Sequence, residues 1–194
     1  MTEYADIDKV LSELRHGHSC LLLNENSAGG VTGFVVVAAE HCEAEHIAFM
    51  ARQARGLVCL AMTPQRCEEL ELPLMVEGDD SLSPFTLSIE AATGIDTGIS
   101  AADRARTVRV AVDASSQASD LVQPGHIFPI AAALGGVLTR TAPAEAAMDL
   151  TSLAGLLPSA VFTEVLDNDG AVADADYLLG FADQHQLVLS LIHI

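Results

Sequence analysis

The chain has 194 residues, half of them hydrophobic, and a formal charge of −18 at pH 7 from 27 acidic and 9 basic side chains. That balance repels a phosphodiester backbone and an anionic membrane surface, both gripped through Lys and Arg, so nucleic acid and membrane are excluded as partners. The length suits one domain over 1–194 with a core that needs no staple. Apolar runs are short and interrupted, well below the ~20 residues of a bilayer span.

In chain order, "DIDKVLSELRHG" has apolar residues at 7, 10, 11 and 14, the spacing of an amphipathic helix, and Gly17 stops it. The opening "MTEYADIDKV" has neither the basic start nor the apolar stretch of a signal peptide, so cytoplasm is the expected compartment. "CLLL" and "FVVVAAE" are strand-like and bracket "LNENSAGGVTG" (23–33), a glycine-rich stretch without a basic residue. Such a loop can cradle a phosphate, but this one lacks the lysine and the helix start that phosphate loops exploit. "EAEHIAFMARQARG" (43–56) predicts a helix ended by its glycine, "LVCLAM" a buried strand, and "TPQRCEEL" a helix capped by Thr63 with Pro64 in its first turn.

A polar loop around "EGDDSLSP" leads to "FTLSIEA" (85–91), which alternates as a half-buried strand. Ser100 precedes Asp103 by the capping distance and opens a helix over "AADRARTVRVAVD". "HIFPIAAAL" (126–134) and "GVLTR" (136–140) read as extended, "PAEAAMDLTSLAG" as a proline-started helix, "SAVFTEVL" as a strand, "ADYLLGFADQH" as a helix and "LVLSLI" as a last strand. Strands and helices mix without a strict βαβ repeat, so the expected class is α/β with a mixed sheet, or α+β.

Two features bear on chemistry directly. Cys20, Cys42, Cys59 and Cys67 are irregularly spaced with no CxxC pair, which suits reduced thiols rather than disulfides or zinc. "HCEAEH" (41–46) puts His41 and Glu45 on one helical face as metal ligands would stand, but acids at a helix start also simply favour the dipole. There is no dinucleotide fingerprint, P-loop or nucleophile-elbow motif.

Longer stretches are more specific. "TGISAADRARTVRVAVD" (97–113) and "PGHIFPIAAALGGVLTRTAPAEAAMDLTSLAGLLPSAVFTEVLDNDG" (124–170), supported by "GLVCLAM" (56–62), "LELPLMVE" (70–77) and "FTLSIEAATGIDTGIS" (85–100), closely resemble the 3,4-dihydroxy-2-butanone 4-phosphate synthase family. Those riboflavin-pathway enzymes convert ribulose 5-phosphate to a four-carbon ketone phosphate and formate. The resemblance runs from about residue 8 nearly to the C-terminus. It implies that fold, and a homodimer with pockets near the subunit interface.

The resemblance also fixes which site residues remain. Where the family carries an acidic Asp-Arg-Glu-Asn-Glu-Gly-Asp loop, whose first Glu binds magnesium, this chain has "SAGGVTGF" (27–34), matching only at Gly33. The family's second magnesium ligand is the His of Arg-Gly-Gly-His-Thr-Glu; here the run is "RTAPAE", with Pro143 at the His place and Ala144 at the Thr place. Neither side chain is a ligand, so no metal site and no cofactor are expected. The positions that match imply Glu164 and His126 as catalytic residues, with Arg140, Thr97, Glu145 and Cys59 binding substrate. Four of them have a plainer role open to them: Arg140 paired only to Glu145, Glu164 solvated, His126 structural, Cys59 in the core.

Three functions follow from this pattern. The first is a divergent enzyme using acid/base chemistry on an anionic or polyhydroxylated small molecule, in a specialised pathway. The second is a non-catalytic homologue that binds a metabolite or partner. The third is the family reaction itself.

Overall fold

A computed structural model describes residues 5–25, 30–76 and 84–192. Its frame is a seven-stranded mixed sheet ordered β4-β5-β3-β6-β2-β1-β7. The strands are β1 (Cys20–Glu25), β2 (Val31–Ala38), β3 (Cys59–Met62), β4 (Ile89–Ala91), β5 (Leu121–Ala131), β6 (Ala160–Glu164) and β7 (Val188–Leu191). β1–β7 and β3–β5 run parallel; the other neighbours are antiparallel. This is the expected mixed α/β sheet.

β2 shows why the sheet is sandwiched. Val35 and Val37 enter one core while Phe34 and Val36 enter another, so the period-two alternation delivers apolar groups to both faces. On the first face pack α2 (Ala44–Phe49), α3 (Pro64–Glu69), α4 (Ala101–Val112) and α6 (Ala175–His185), through residues such as Ile47, Cys67, Val108 and Leu178. On the second lie α1 (Ile7–Arg15) and α5 (Pro143–Leu153), through Val10, Leu14, Ala147 and Met148.

Local chemistry sets most boundaries as the sequence predicts. Asp6 caps α1 by accepting from Asp8 N, and Gly17 follows with φ +79°. Thr63 accepts from Arg66 N at 3.1 Å, and Ser100 from Asp103 N at 3.0 Å. All four cysteines are buried and unbridged.

Four expectations change. The helix over 43–56 ends early: α2 gives way to a π-helical turn at Met50–Ala54, and Arg55, not Gly56, takes the left-handed conformation, φ 69°. Gly56 is needed for another reason, since a Cβ there would collide with the Glu164 carbonyl oxygen. The stretch 136–140 is not extended; Gly136–Leu138 is a 3₁₀ turn pinned by Val137 N donating to Asp149 Oδ2 at 2.9 Å. β5 starts at Leu121, before the expected 126, and of 85–91 only Ile89–Ala91 is continuous strand. Residues 77–83 of the predicted polar loop and 26–29 of the glycine-rich stretch lie outside the described residues.

The 41–46 cluster is a cap. His46 Nδ1 accepts from Glu43 N at 3.0 Å and Nε2–H donates to Gly17 O at 2.9 Å, while Glu43 pairs with Arg109 at 2.9 Å. Both ring nitrogens of His46 are spent on backbone.

Candidate active site

Strand register places three of the expected residues, Cys59, His126 and Glu164, on one face. Cys59 stands against Phe128 of β5 and Phe162 of β6, and all three side chains lie in or against the α1/α5 core. A step of two residues keeps the face, so His126 and Glu164 continue that row at the sheet end. Two strand spacings separate them, roughly 10 Å between Cα atoms. Glu164 stands against Phe34 of β2, so the end of β1 and the start of β2 lie at this same end of the sheet.

Burial pushes the Glu164 carboxyl pKa up. The side chain makes no hydrogen bond or ion pair among the described residues. A carboxyl that holds its proton closer to neutrality is suited to general acid/base work. Cys59 lies close enough for Glu164 to raise its pKa further, but burial dominates and pushes the thiol to about 12. It is therefore an inert core thiol rather than a nucleophile.

His126 is oriented rather than free. Its Nδ1–H donates to Glu90 Oε1 on β4; Glu90 is 15% exposed and His126 42%. A carboxylate there fixes the tautomer with Nε2 as the accepting nitrogen. Glu90 is in turn covered by Gly98, where any Cβ would collide with its carboxylate. The turn carrying the exposed Thr97 is held from α4, because Gly98 N donates to Asp103 Oδ2 at 3.1 Å. Thr97 and His126 thus stand on one assembly, joined through Glu90.

Arg140 and Glu145 form another cluster, in the loop before α5 and its first turn. Arg140 Nη2 meets Glu145 Oε1 at 2.6 Å, and the same oxygen accepts from Ala133 N at 2.7 Å. Glu145 is fully buried. The pair ties the end of β5 to α5, and no contact joins it to Glu164 or His126 among the described residues. Cavities of about 300 Å³ around Met62 and Ser159, and about 310 Å³ around Arg55 and Tyr177, are lined by other residues.

Glu90 and Asp103 are the positioning residues that sequence reading missed. Asp103 was legible only as a capping partner. Glu90 had one signal: a lone acid among the otherwise neutral residues of "FTLSIEA".

With this geometry in hand, the comparisons decide the family. The model of 3,4-dihydroxy-2-butanone 4-phosphate synthase matches residues 8–193. The chain belongs to that family. It is 45% identical to the synthase of Pseudomonas syringae over 96% of this chain and 52% of that protein, and 43% identical to that of Pectobacterium carotovorum over 93% and 84%. It spans about half the length of the Pseudomonas relative. Among solved structures, a two-domain synthase from A. baumannii shares 41% identity and a TM-score of 0.91, covering 97% of this chain and 56% of that one. A synthase solved with two magnesium ions shares 31% identity and a TM-score of 0.91 over 98% and 94%.

The residues here do not fit such a metal. Hard dications take about six oxygen ligands, largely from carboxylates and carbonyls. Pro143 and Ala144 begin α5 and offer no side-chain donor, and Glu25 is the only carboxylate in 24–34. Among the described residues no group of three or more His, Cys, Asp and Glu could hold a metal ion.

Proposed function

We propose that this synthase-family chain binds an anionic or polyhydroxylated small molecule at the Glu164–His126 sheet end and moves protons on it without a dication. The observation that carries this is the half-buried Glu164, without a partner among the described residues, on the same sheet face as a histidine oriented by Glu90. His126 Nε2 takes a proton from carbon next to a carbonyl, and Glu90 stabilises the imidazolium that forms. Glu164, whose carboxyl pKa burial raises, serves as the acid and gives a proton to the developing oxygen anion or to the adjacent carbon. That is isomerase or lyase chemistry. Thr97 hydrogen-bonds the ligand from the neighbouring turn, and Arg140, paired with the buried Glu145, holds the end of β5 against α5.

The assembly proposed is a single domain over 1–194 that pairs as a homodimer, and the unbridged thiols suit a reducing cytoplasm. No helix among the described residues is long and apolar enough to cross a membrane.

A second reading is the synthase reaction itself, favoured by 41–46% identity to synthases over most of the chain. The two separate in one experiment: sugar phosphates, ribulose 5-phosphate included, in D₂O with and without excess magnesium, followed by NMR. The proposed function predicts deuterium wash-in next to the carbonyl that falls about 10²-fold or more in Glu164→Gln and His126→Ala, with no formate. Formate release faster than about 0.1 per second and abolished by EDTA establishes the synthase reading instead. Ligand binding with neither exchange nor formate leaves a non-catalytic homologue.

A further inference from the structure

Away from the sheet end, the π-helical turn at Met50–Ala54 delivers Arg55 to the edge of a cavity of about 310 Å³. π-turns recur at functional positions, and a non-glycine residue at φ 69° is uncommon. Here the backbone imposes both. Arg55 N donates to Met50 O at 2.8 Å, Leu166 N donates to Ala54 O at 2.8 Å, and Arg55 bridges to Val165.

What the guanidinium does there is unusual for so acidic a chain. Nη1 donates to Leu166 O at 3.0 Å, Asp167 O at 3.2 Å and Tyr177 Oη at 3.0 Å, and Nη2 donates to Asn168 Oδ1 at 3.0 Å. All four acceptors are uncharged. The Asp167 carboxylate is turned into its own loop, accepting from Asp169 N and Ala171 N at 2.9 Å each. Tyr177 Oη and Asn168 Oδ1 lie 3.4 Å apart, so both sit at the Nη1/Nη2 end of the group. Among the described residues the Nε–H and the second Nη2–H have no acceptor, and they form the side edge with which an arginine grips two oxygens of one anion.

The cavity that Arg55 lines is walled by rings. Tyr177 and Phe181 stack at 6.5 Å, and Phe181 and His185 lie 4.6 Å apart. Burial pushes the His185 pKa down, so the wall stays neutral. Gln53 adds an amide donor and acceptor. Gly180 lines the cavity from within α6, where glycine costs roughly 0.5–1 kcal/mol relative to alanine. Nothing lies within 4 Å of where its Cβ would stand, so internal packing does not require the glycine.

We propose that this cavity is a second ligand site, taking a small planar ring that carries a carboxylate or phosphate. The anion is forked by Arg55 and the ring packs against Tyr177 and Phe181 over Gly180. None of the residues lining the cavity belongs to the Glu164–His126 end.

Calorimetric titration of the full chain with phenyl phosphate, benzoate, inorganic phosphate and phenol tests it. One of the two ring-bearing anions binds at least tenfold tighter than inorganic phosphate or phenol, and which of them does so identifies the head group. Arg55→Gln weakens that binding tenfold or more. Gly180→Leu fills the cavity without touching the Arg55 hydrogen bonds and removes binding while the fold stays intact, which decides the matter if Arg55→Gln is unstable. Glu164→Gln leaves affinity unchanged. Absence of binding by every probe at millimolar concentration overturns the site, and so does full affinity in either cavity variant.

Discussion

Arg140 meets the fully buried carboxylate of Glu145 at 2.6 Å, whereas Arg55 is held by two carbonyls, a phenol and an amide, with one edge left open. In a chain with three acids for every base, withholding a carboxylate from one arginine is the more informative arrangement. A buried pair neutralises its own charge and fixes geometry; an arginine satisfied by neutral acceptors is positioned but keeps its field. Arg140 therefore acts first as a tie between β5 and α5, and Arg55 as the stronger candidate for recruiting an anion.

The largest effect that tests this contrast comes from removing the buried acid. Glu145→Ala leaves Arg140 without its counter-charge and Ala133 N without its acceptor, and should cost about 3–5 kcal/mol in denaturant unfolding. A loss below about 1 kcal/mol, the range of exposed pairs, would mean that solvent already screens the cluster and that Arg140 is as available as Arg55.

A smaller effect couples the two ends of the comparison. Gly56→Ala pushes a methyl into the Glu164 backbone carbonyl, which is not a flexible group, and overpacking of this kind costs about 1–3 kcal/mol. Because Arg55 precedes Gly56 and bridges Val165 next to Glu164, the variant should also weaken anion binding at Arg55 and proton exchange at Glu164 together. Loss of one activity with the other intact would show that the two sites do not share this backbone contact.

Gly56 also shows where sequence reading stopped. A glycine after a helical stretch predicts a left-handed cap, and at Gly17 and Gly155 that reasoning holds. At Gly56 the constraint comes from a strand more than a hundred residues away, so the left-handed position falls on Arg55 and the helix loosens into a π-turn. The capped starts of α3 and α4 were legible because each cap lies within three residues of its partner. The Glu90–His126 pair and the Arg55 cluster were not, because their partners lie 36 and more than a hundred residues off. Family resemblance pointed to Glu164, His126 and Arg140, but only packing distinguishes Glu164, a carboxyl without a partner among the described residues, from Glu145, which is spent on structure.

The smallest effect is the most specific to Glu164. Its folded pKa is raised by burial above the unfolded glutamate value of about 4.3, so the folded state binds the proton more tightly. The sign follows: below the unfolded pKa both states are protonated and there is no penalty, while above the folded pKa the buried carboxylate destabilises the fold in full. Stability is thus lost as pH rises through the folded pKa. Glu164→Gln keeps the shape and removes the ionisation, so its stability relative to wild type should improve as pH rises from the unfolded glutamate pKa through the folded one, with no further gain above. Solvent screening of a half-buried group keeps this difference below that of either substitution above. Thermal melts of both proteins across that range read it directly. A variant that becomes relatively less stable as pH rises would mean that the ionised carboxylate has a stabilising partner, and Glu164 would then belong with Glu145 as a structural acid.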